Sequence, residues 1–242
     1  MSLMRLRELI SLLSPPRPQS RVVELWRTEE GRLLYTSDVE EGIPLIFSSG
    51  FGSLLYNYGG LCDSFAESQP VIRVGHPGSD RRAALPALLR LFCYRLLGYC
   101  DREAAIKVRS WLHRPEARQR RLRQLSAAVE EVCRRTGAST VDLAGHSFGT
   151  DTVLQFTLSG KVPVRNLWLF SPHPPGYLIP IADYSRLPVR SVKVVVGSRD
   201  WTRDGVGPRE RRQVREAIGN LAELVVRKDF RHMDFARSSG GR

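Results

Sequence analysis

The pattern that most limits how this chain can fold is a series of short, nearly uninterrupted apolar runs. "IPLIFSSG" (43–50), "PVIRVG" (70–75), "TVDLAG" (140–145), "NLWLFSP" (166–172), "SVKVVVGS" (191–198) and "AELVVR" (222–227) are rich in β-forming residues and show little polar alternation. A strand that is apolar on both faces is buried on both faces, as strands of parallel sheets are. Helix-like segments lie between these runs, at about 53–67, 82–135, 148–159 and 208–219. Buried strands alternating with helices predict βαβ units, and right-handed crossovers then place helices on both faces of one twisted sheet. Ahead of this series, "RVVELW" (21–26) and "RLLYTSD" (32–38) flank "RTEEG" and predict an antiparallel hairpin. The expected class is therefore α/β, with a mostly parallel twisted sheet and an N-terminal hairpin.

A chain of 242 residues fits one domain with one sizeable core. In 1–20, Leu3, Leu6, Leu9, Ile10 and Leu13 fall on one helical face, and Pro15 and Pro16 end the helix. Arg5, Arg7 and Glu8 interrupt the apolar run, so a signal peptide is not expected. The expected organisation is an amphipathic helix over 1–20 and a single domain over 21–242. The stretch 81–135 is too long for one crossover helix and predicts a helical insertion. Its first part, "RRAALPALLRLFCYRLLGYC" (81–100), is rich in leucine and aromatics. It fits a cap over the sheet or simply extra packed helices. No run of eighteen uncharged apolar residues occurs, so no spanning helix is expected.

Four cysteines form no C-x-x-C and have no histidine at metal-ligand spacing. They are expected to be reduced thiols in a cytoplasmic protein that carries no metal. The net charge of +12 comes mostly from arginine, densest in "RPEARQRRLRQ" (114–124). Such a cluster is either a solvated helix face or a docking surface for an anionic partner. No zinc-finger or RNA-recognition motif accompanies it, so nucleic acid is not the expected partner; peripheral contact with a membrane is compatible with it.

Gly145-His146-Ser147-Phe148-Gly149 matches G-x-S-x-G. The pentapeptide alone is weak, but its surroundings are those the motif needs: "TVDLA" as strand before it and "FGTDTVLQFTL" as helix after it. A serine on such a turn is forced into an unfavourable backbone conformation, and the glycines relieve the crowding. The positive end of the helix favours negative charge beside the serine.

A serine nucleophile needs a base, and the base needs an orienting acid. On a strand–serine–helix turn of this kind the chain order is Ser, acid, His. Only His173 and His232 follow the serine. His173, in "SPHPP", has before it only Asp151, which lies one turn into the helix and is expected to face away. His232, in "KDFRHMDF" after the last strand, is the expected base. The acid should end a strand between the two, and "VKVVVGSRD" ends in Asp200, preferred to Asp204 in the same loop and to Asp183. An oxyanion would be held by the backbone N–H of Phe148 and by one from the loop after the third strand. That loop is "FSSGFGS" (47–53), which nominates Phe51.

Taken together, "SGFGS", "GHPGSD", "GHSFG", "GSRD" and "RHMDF", each beside a strand, resemble the core layout of the α/β-hydrolase superfamily over nearly all of the chain after residue 20. "VIRVGHPGSD" and "AGHSFGT" are similar to dienelactone-hydrolase-like and platelet-activating-factor-acetylhydrolase-like members. The resemblance implies hydrolysis of an ester or related acyl bond in a small, possibly apolar substrate, without metal or organic cofactor. Two departures stand out. Many members carry His-Gly where this chain has Ser49-Gly50, and a final helix normally follows the histidine loop, where only ten residues remain. They motivate an alternative, a hydrolase-fold binding protein that uses the basic helix to hold an anionic partner.

Overall fold

The computed structural model describes residues 19–50, 58–75, 93, 97, 114–172, 187–199, 216, 222–230 and 234–237. In chain order the described elements are β1 (Val22–Thr28), β2 (Gly31–Ser37), β3 (Leu45–Ser48), α1 (Gly59–Ala66), β4 (Val71–Val74), α2 (Pro115–Thr136), β5 (Val141–His146), α3 (Phe148–Ser159), β6 (Val164–Phe170), β7 (Ser191–Gly197), β8 (Ala222–Arg227) and α4 (Asp234–Arg237). The strands form one eight-stranded sheet in the order β1-β2-β4-β3-β5-β6-β7-β8. The expected hairpin is present: β1 pairs antiparallel with β2, from Val22 opposite Ser37 to Thr28 opposite Gly31. β2 pairs antiparallel with β4, and every later pairing is parallel.

Side-chain alternation along these strands builds two cores. Ile46, Ile72, Leu143, Leu167 and Val194 point to one face, where Leu125, Val129 and Val132 of α2 and Val153 and Phe156 of α3 cover them. Leu45, Phe47, Ala144, Phe170 and Val195 point to the other, against Tyr58, Cys62 and Ala66 near α1 and Phe235 of α4. Helices on both faces of a parallel sheet explain why these strands are apolar on both sides.

Two buried ion pairs interrupt the apolar interior. Arg73 of β4 is 2% exposed and meets Asp63 of α1 at 3.0 Å. Asp63 also accepts from Ser20 Oγ (2.6 Å) and the Gln19 N–H (2.7 Å), fixing the chain as it enters β1. Asp142 of β5 is fully buried and takes a two-pronged bond from Arg165 of β6, Nε at 3.0 Å and Nη2 at 2.5 Å. It also accepts the Asn166 N–H at 3.0 Å. A buried carboxylate that is paired and fully hydrogen-bonded fixes register, because a slip would strand its charge.

Some expectations need adjusting or fall elsewhere. The helix expected over 53–67 is described only from Gly59, because Tyr58 sits at φ 66°, outside the right-handed helical region. Within 82–135, α2 begins at Pro115, a residue suited to a first helical turn, and it runs one residue further, to Thr136. Residues 53–57, the part of that stretch before Arg114 except Cys93 and Leu97, the helix over 208–219 except Glu216, and residues 1–18 lie outside the described residues. Among the described residues no helix is long and apolar enough to cross a membrane.

Candidate active site at the carboxyl ends of β3 and β5

The strand order places a site before any side chain is considered. From β3 the chain steps outward to β4; from β5 it steps the opposite way through β6, β7 and β8. The reversal falls between β3 and β5, which are neighbours. In open α/β sheets ligands bind outside the carboxyl ends of the strands at such a reversal. Here β3 runs into Ser49-Gly50 and β5 runs into Ser147.

Ser147 has φ 53° and ψ −116°. This lies outside the allowed regions for an L-residue, at positive φ with a ψ far from the left-handed helical one, and is held only where its surroundings impose it. The surroundings are covalently short and sterically tight. The Ser147 N–H donates to the Phe170 carbonyl (3.0 Å), and its own carbonyl accepts from the N–H of Thr150 (3.0 Å). A Cβ on Gly145 would stand 2.6 Å from the Gly149 backbone, and one on Gly149 would stand 2.0 Å from the Ser48 carbonyl oxygen. The two glycines are thus where the turn crosses itself and where it crosses β3. Serine at a helix start usually caps the helix with its hydroxyl, but Ser147 makes no such bond. The residue is 5% exposed.

Beside the turn, Tyr58 Oη accepts the Gly50 N–H at 3.2 Å and lies 2.7 Å from His146 Nδ1. Ser49, which stands where a histidine was noted in similar chains, turns its hydroxyl to the Val74 carbonyl at 3.4 Å. On the far side of α3, Arg121 of α2 holds its guanidinium 5.5 Å from the centre of the Phe148 ring. Burial pushes the Arg121 guanidinium below its ordinary pKa, against the opposing pull of Asp151. Asp151 is 5% exposed and acts electrostatically on Arg121 of α2.

No protein-family model matches the chain, and no curated protein matches it in sequence. In structure, the chain superposes on solved proteins. An α/β serine hydrolase without a lid from Xanthomonas campestris is 17% identical, covers 92% of this chain and 89% of its own, and superposes with a TM-score of 0.54. A carboxylesterase from Bacillus subtilis is 11% identical, covers 96% and 90%, and gives 0.58. An α/β serine hydrolase homologue from Coxiella burnetii is 15% identical, covers 92% and 94%, and gives 0.56. The chain has an α/β-hydrolase fold.

In the α/β-hydrolase sheet, the two loops expected to bear the acid and the base leave adjacent strands, β7 and β8. Asp200 and His232 themselves lie outside the described residues, as do Phe51, His173, Asp183 and Asp204. The described chain runs up to Arg199 before Asp200 and up to Phe230 ahead of His232, and these two segments are bonded to one another. The Ser198 N–H donates to the Arg227 carbonyl (2.8 Å) and the Arg199 N–H to the Phe230 carbonyl (2.9 Å). The Asp229 N–H donates to Ser198 Oγ (2.8 Å), and Arg199 pairs with Asp229 at 2.9 Å. Beyond His232 the chain returns to the serine turn: the Phe235 ring of α4 lies 6.1 Å from the His146 ring and 5.9 Å from that of Phe170. α4 is only one turn long, and Phe235, 3% exposed, is its contribution to the core.

Three of these residues escape a reading of the sequence. Tyr58 carries no motif. Phe235 closes the quoted "RHMDF", but nothing in that stretch marks it as a core residue. Arg121 looks like any member of its basic run, although its spacing to Leu125, Ala128 and Val132 puts it on the buried stripe of α2. Among the described residues no group of His, Cys, Asp and Glu is arranged to hold a metal ion.

Proposed function

We propose that the protein is a serine hydrolase of esters or related acyl bonds in a small substrate. Ser147 Oγ attacks the acyl carbon, and His232 takes its proton and later delivers it to the leaving group. Asp200 orients His232 and stabilises its charged form. The N–H groups of Phe148 and Phe51 hold the oxyanion. Water, activated by His232, then attacks the acyl-enzyme and frees Ser147.

The observation that carries this reading is the Ser147 backbone, φ 53° and ψ −116°, at the carboxyl end of β5. An ordinary glycine-flanked serine has no reason to hold that conformation or to leave its helix uncapped. Supporting it is the pairing of the Ser198–Arg199 and Arg227–Phe230 segments, which lead into Asp200 and His232. The basic helix supports the binding-protein alternative less well, because Arg121 is turned inward and Arg123 faces Glu30 at 3.8 Å. A fluorophosphonate probe should label the wild-type protein at one site and leave Ser147→Ala unlabelled with its melting temperature unchanged. Folded wild-type protein that takes up no probe would refute the proposal.

A further inference from the structure

We infer that Tyr58 is a positioning residue that ties the Gly50 loop to the serine turn, an inference that rests on the serine-hydrolase reading above. Two strand-end loops flank the reaction centre, one after β3 and one after β5. Past the end of β5 the serine turn keeps one backbone bond to β6, from the Ser147 N–H to the Phe170 carbonyl, and that bond does not reach the Gly50 loop. One hydroxyl spans them. Tyr58 Oη accepts from the Gly50 N–H at 3.2 Å and shares a 2.7 Å hydrogen bond with His146 Nδ1, 88 residues away in the chain. His146 is the residue immediately before Ser147.

The tyrosine is built into place rather than resting there. It is 1% exposed, and its ring packs against Phe47 at 4.8 Å and His146 at 5.2 Å between centroids. It also holds φ 66°, a conformation that a bulky residue adopts only under constraint. The junction is tight at position 50: a Cβ there would stand 3.0 Å from His146 Nδ1 and 3.1 Å from Tyr58 Oη, so both side chains would have to yield by a few tenths of an ångström. Because the Gly50 N–H is engaged by Tyr58, the next amide along the chain, that of Phe51, is left as the donor for the oxyanion. Ser49 cannot replace this tie, since its hydroxyl is turned to Val74. Tyr58 touches no reacting atom in this scheme; it acts by fixing where the amide donors and Ser147 stand relative to each other.

Tyr58→Phe removes the hydroxyl and keeps the ring. Competent sites are counted by probe titration, and rates with a p-nitrophenyl ester are expressed per competent site. On that basis kcat should fall about tenfold or more with KM within about twofold, the signature of an interaction needed in the transition state. Affinity for a trifluoromethyl ketone, which mimics the tetrahedral adduct, should fall by the same factor. His146→Asn, which offers an amide oxygen near the Nδ1 position, should keep more of kcat than His146→Leu. Tyr58→Phe with wild-type kcat per competent site and wild-type ketone affinity would overturn the inference while leaving the hydrolase reading intact. If Tyr58→Phe yields too little folded protein, equal losses in the two His146 variants would overturn it instead. Absence of probe labelling in folded wild type would remove the parent reading and this inference with it.

Discussion

Single atoms decide the turn at Ser147. The Cβ that Gly149→Ala would introduce meets the Ser48 carbonyl oxygen at 2.0 Å, and both partners are backbone, so neither can rotate out of the way. This substitution should cost about 3 kcal/mol, at the upper end of overpacking penalties. Gly160 has φ 64° but nothing within 4 Å, so Gly160→Ala should cost only about 1 kcal/mol of left-handed backbone strain. Urea unfolding of both variants separates steric from conformational cost, and equal losses would show that the crossing with β3 is looser than described. Cys62 provides a second test at this scale. Burial pushes its thiol up to about 11, outweighing the opposing effect of Arg73. The folded protein then holds this proton more tightly than the unfolded chain. The stabilising contribution is complete below pH 9, the ordinary thiol value, and is lost as pH rises to about 11. Wild type should lose on the order of 3 kcal/mol more than Cys62→Ala across that interval. Parallel stability–pH curves for the two proteins would contradict it.

Elements bring these residues together, and the pairing of β7 with β8 does most to shape the far side of the site. Gly197 ends β7 so close to the next loop that a Cβ would stand 2.1 Å from the Phe230 carbonyl oxygen. That oxygen accepts the Arg199 N–H, so Gly197→Ala should push apart the segments that lead to Asp200 and His232. Probe labelling should slow about tenfold or more. Arg199→Ala removes only an ion pair whose side chains are 57% and 59% exposed. An exposed pair is worth about 1 kcal/mol or less, so this variant should label within about twofold of wild type. Labelling rates for both variants, each checked for folding, test whether backbone contact or the ion pair fixes the loops. The elements themselves were largely legible in the sequence. Runs such as Val192 to Val196 announce strands buried on both faces, and Pro115 and Gly137 bracket α2. The inward turn of Arg121 was harder to see, because charge dominates a reading of "ARQRRLRQ", whereas helical phase decides which arginine is buried.

At the scale of the whole molecule, the proposed site draws on residues that follow strands far apart in sequence, and this explains which parts of it could be read in advance. Ser147 announces itself because its constraints are local: a strand, two glycines and a helix within one short stretch. Tyr58 does not, because its role exists only once β3 and β5 lie side by side and bring Gly50 near His146. The acid and base fall between these cases, marked by chain order and by strand ends but not by any motif of their own. Their assignment predicts graded effects. His232→Ala removes the group proposed to accept the Ser147 proton and should lower kcat by about a thousandfold or more. Asp200→Asn keeps the shape of the side chain but no longer stabilises the charged imidazole, and should cost about a hundredfold to ten-thousandfold. Asp204→Asn, close by in sequence but assigned no role, should stay within about threefold. The comparison is informative because the two aspartates are neighbours: a general disturbance of the loop would harm both variants, whereas orientation of His232 is lost in only one. Steady-state ester hydrolysis per competent site measures all three. A larger loss at Asp204 than at Asp200 would move the acid along the loop without touching Ser147 or His232.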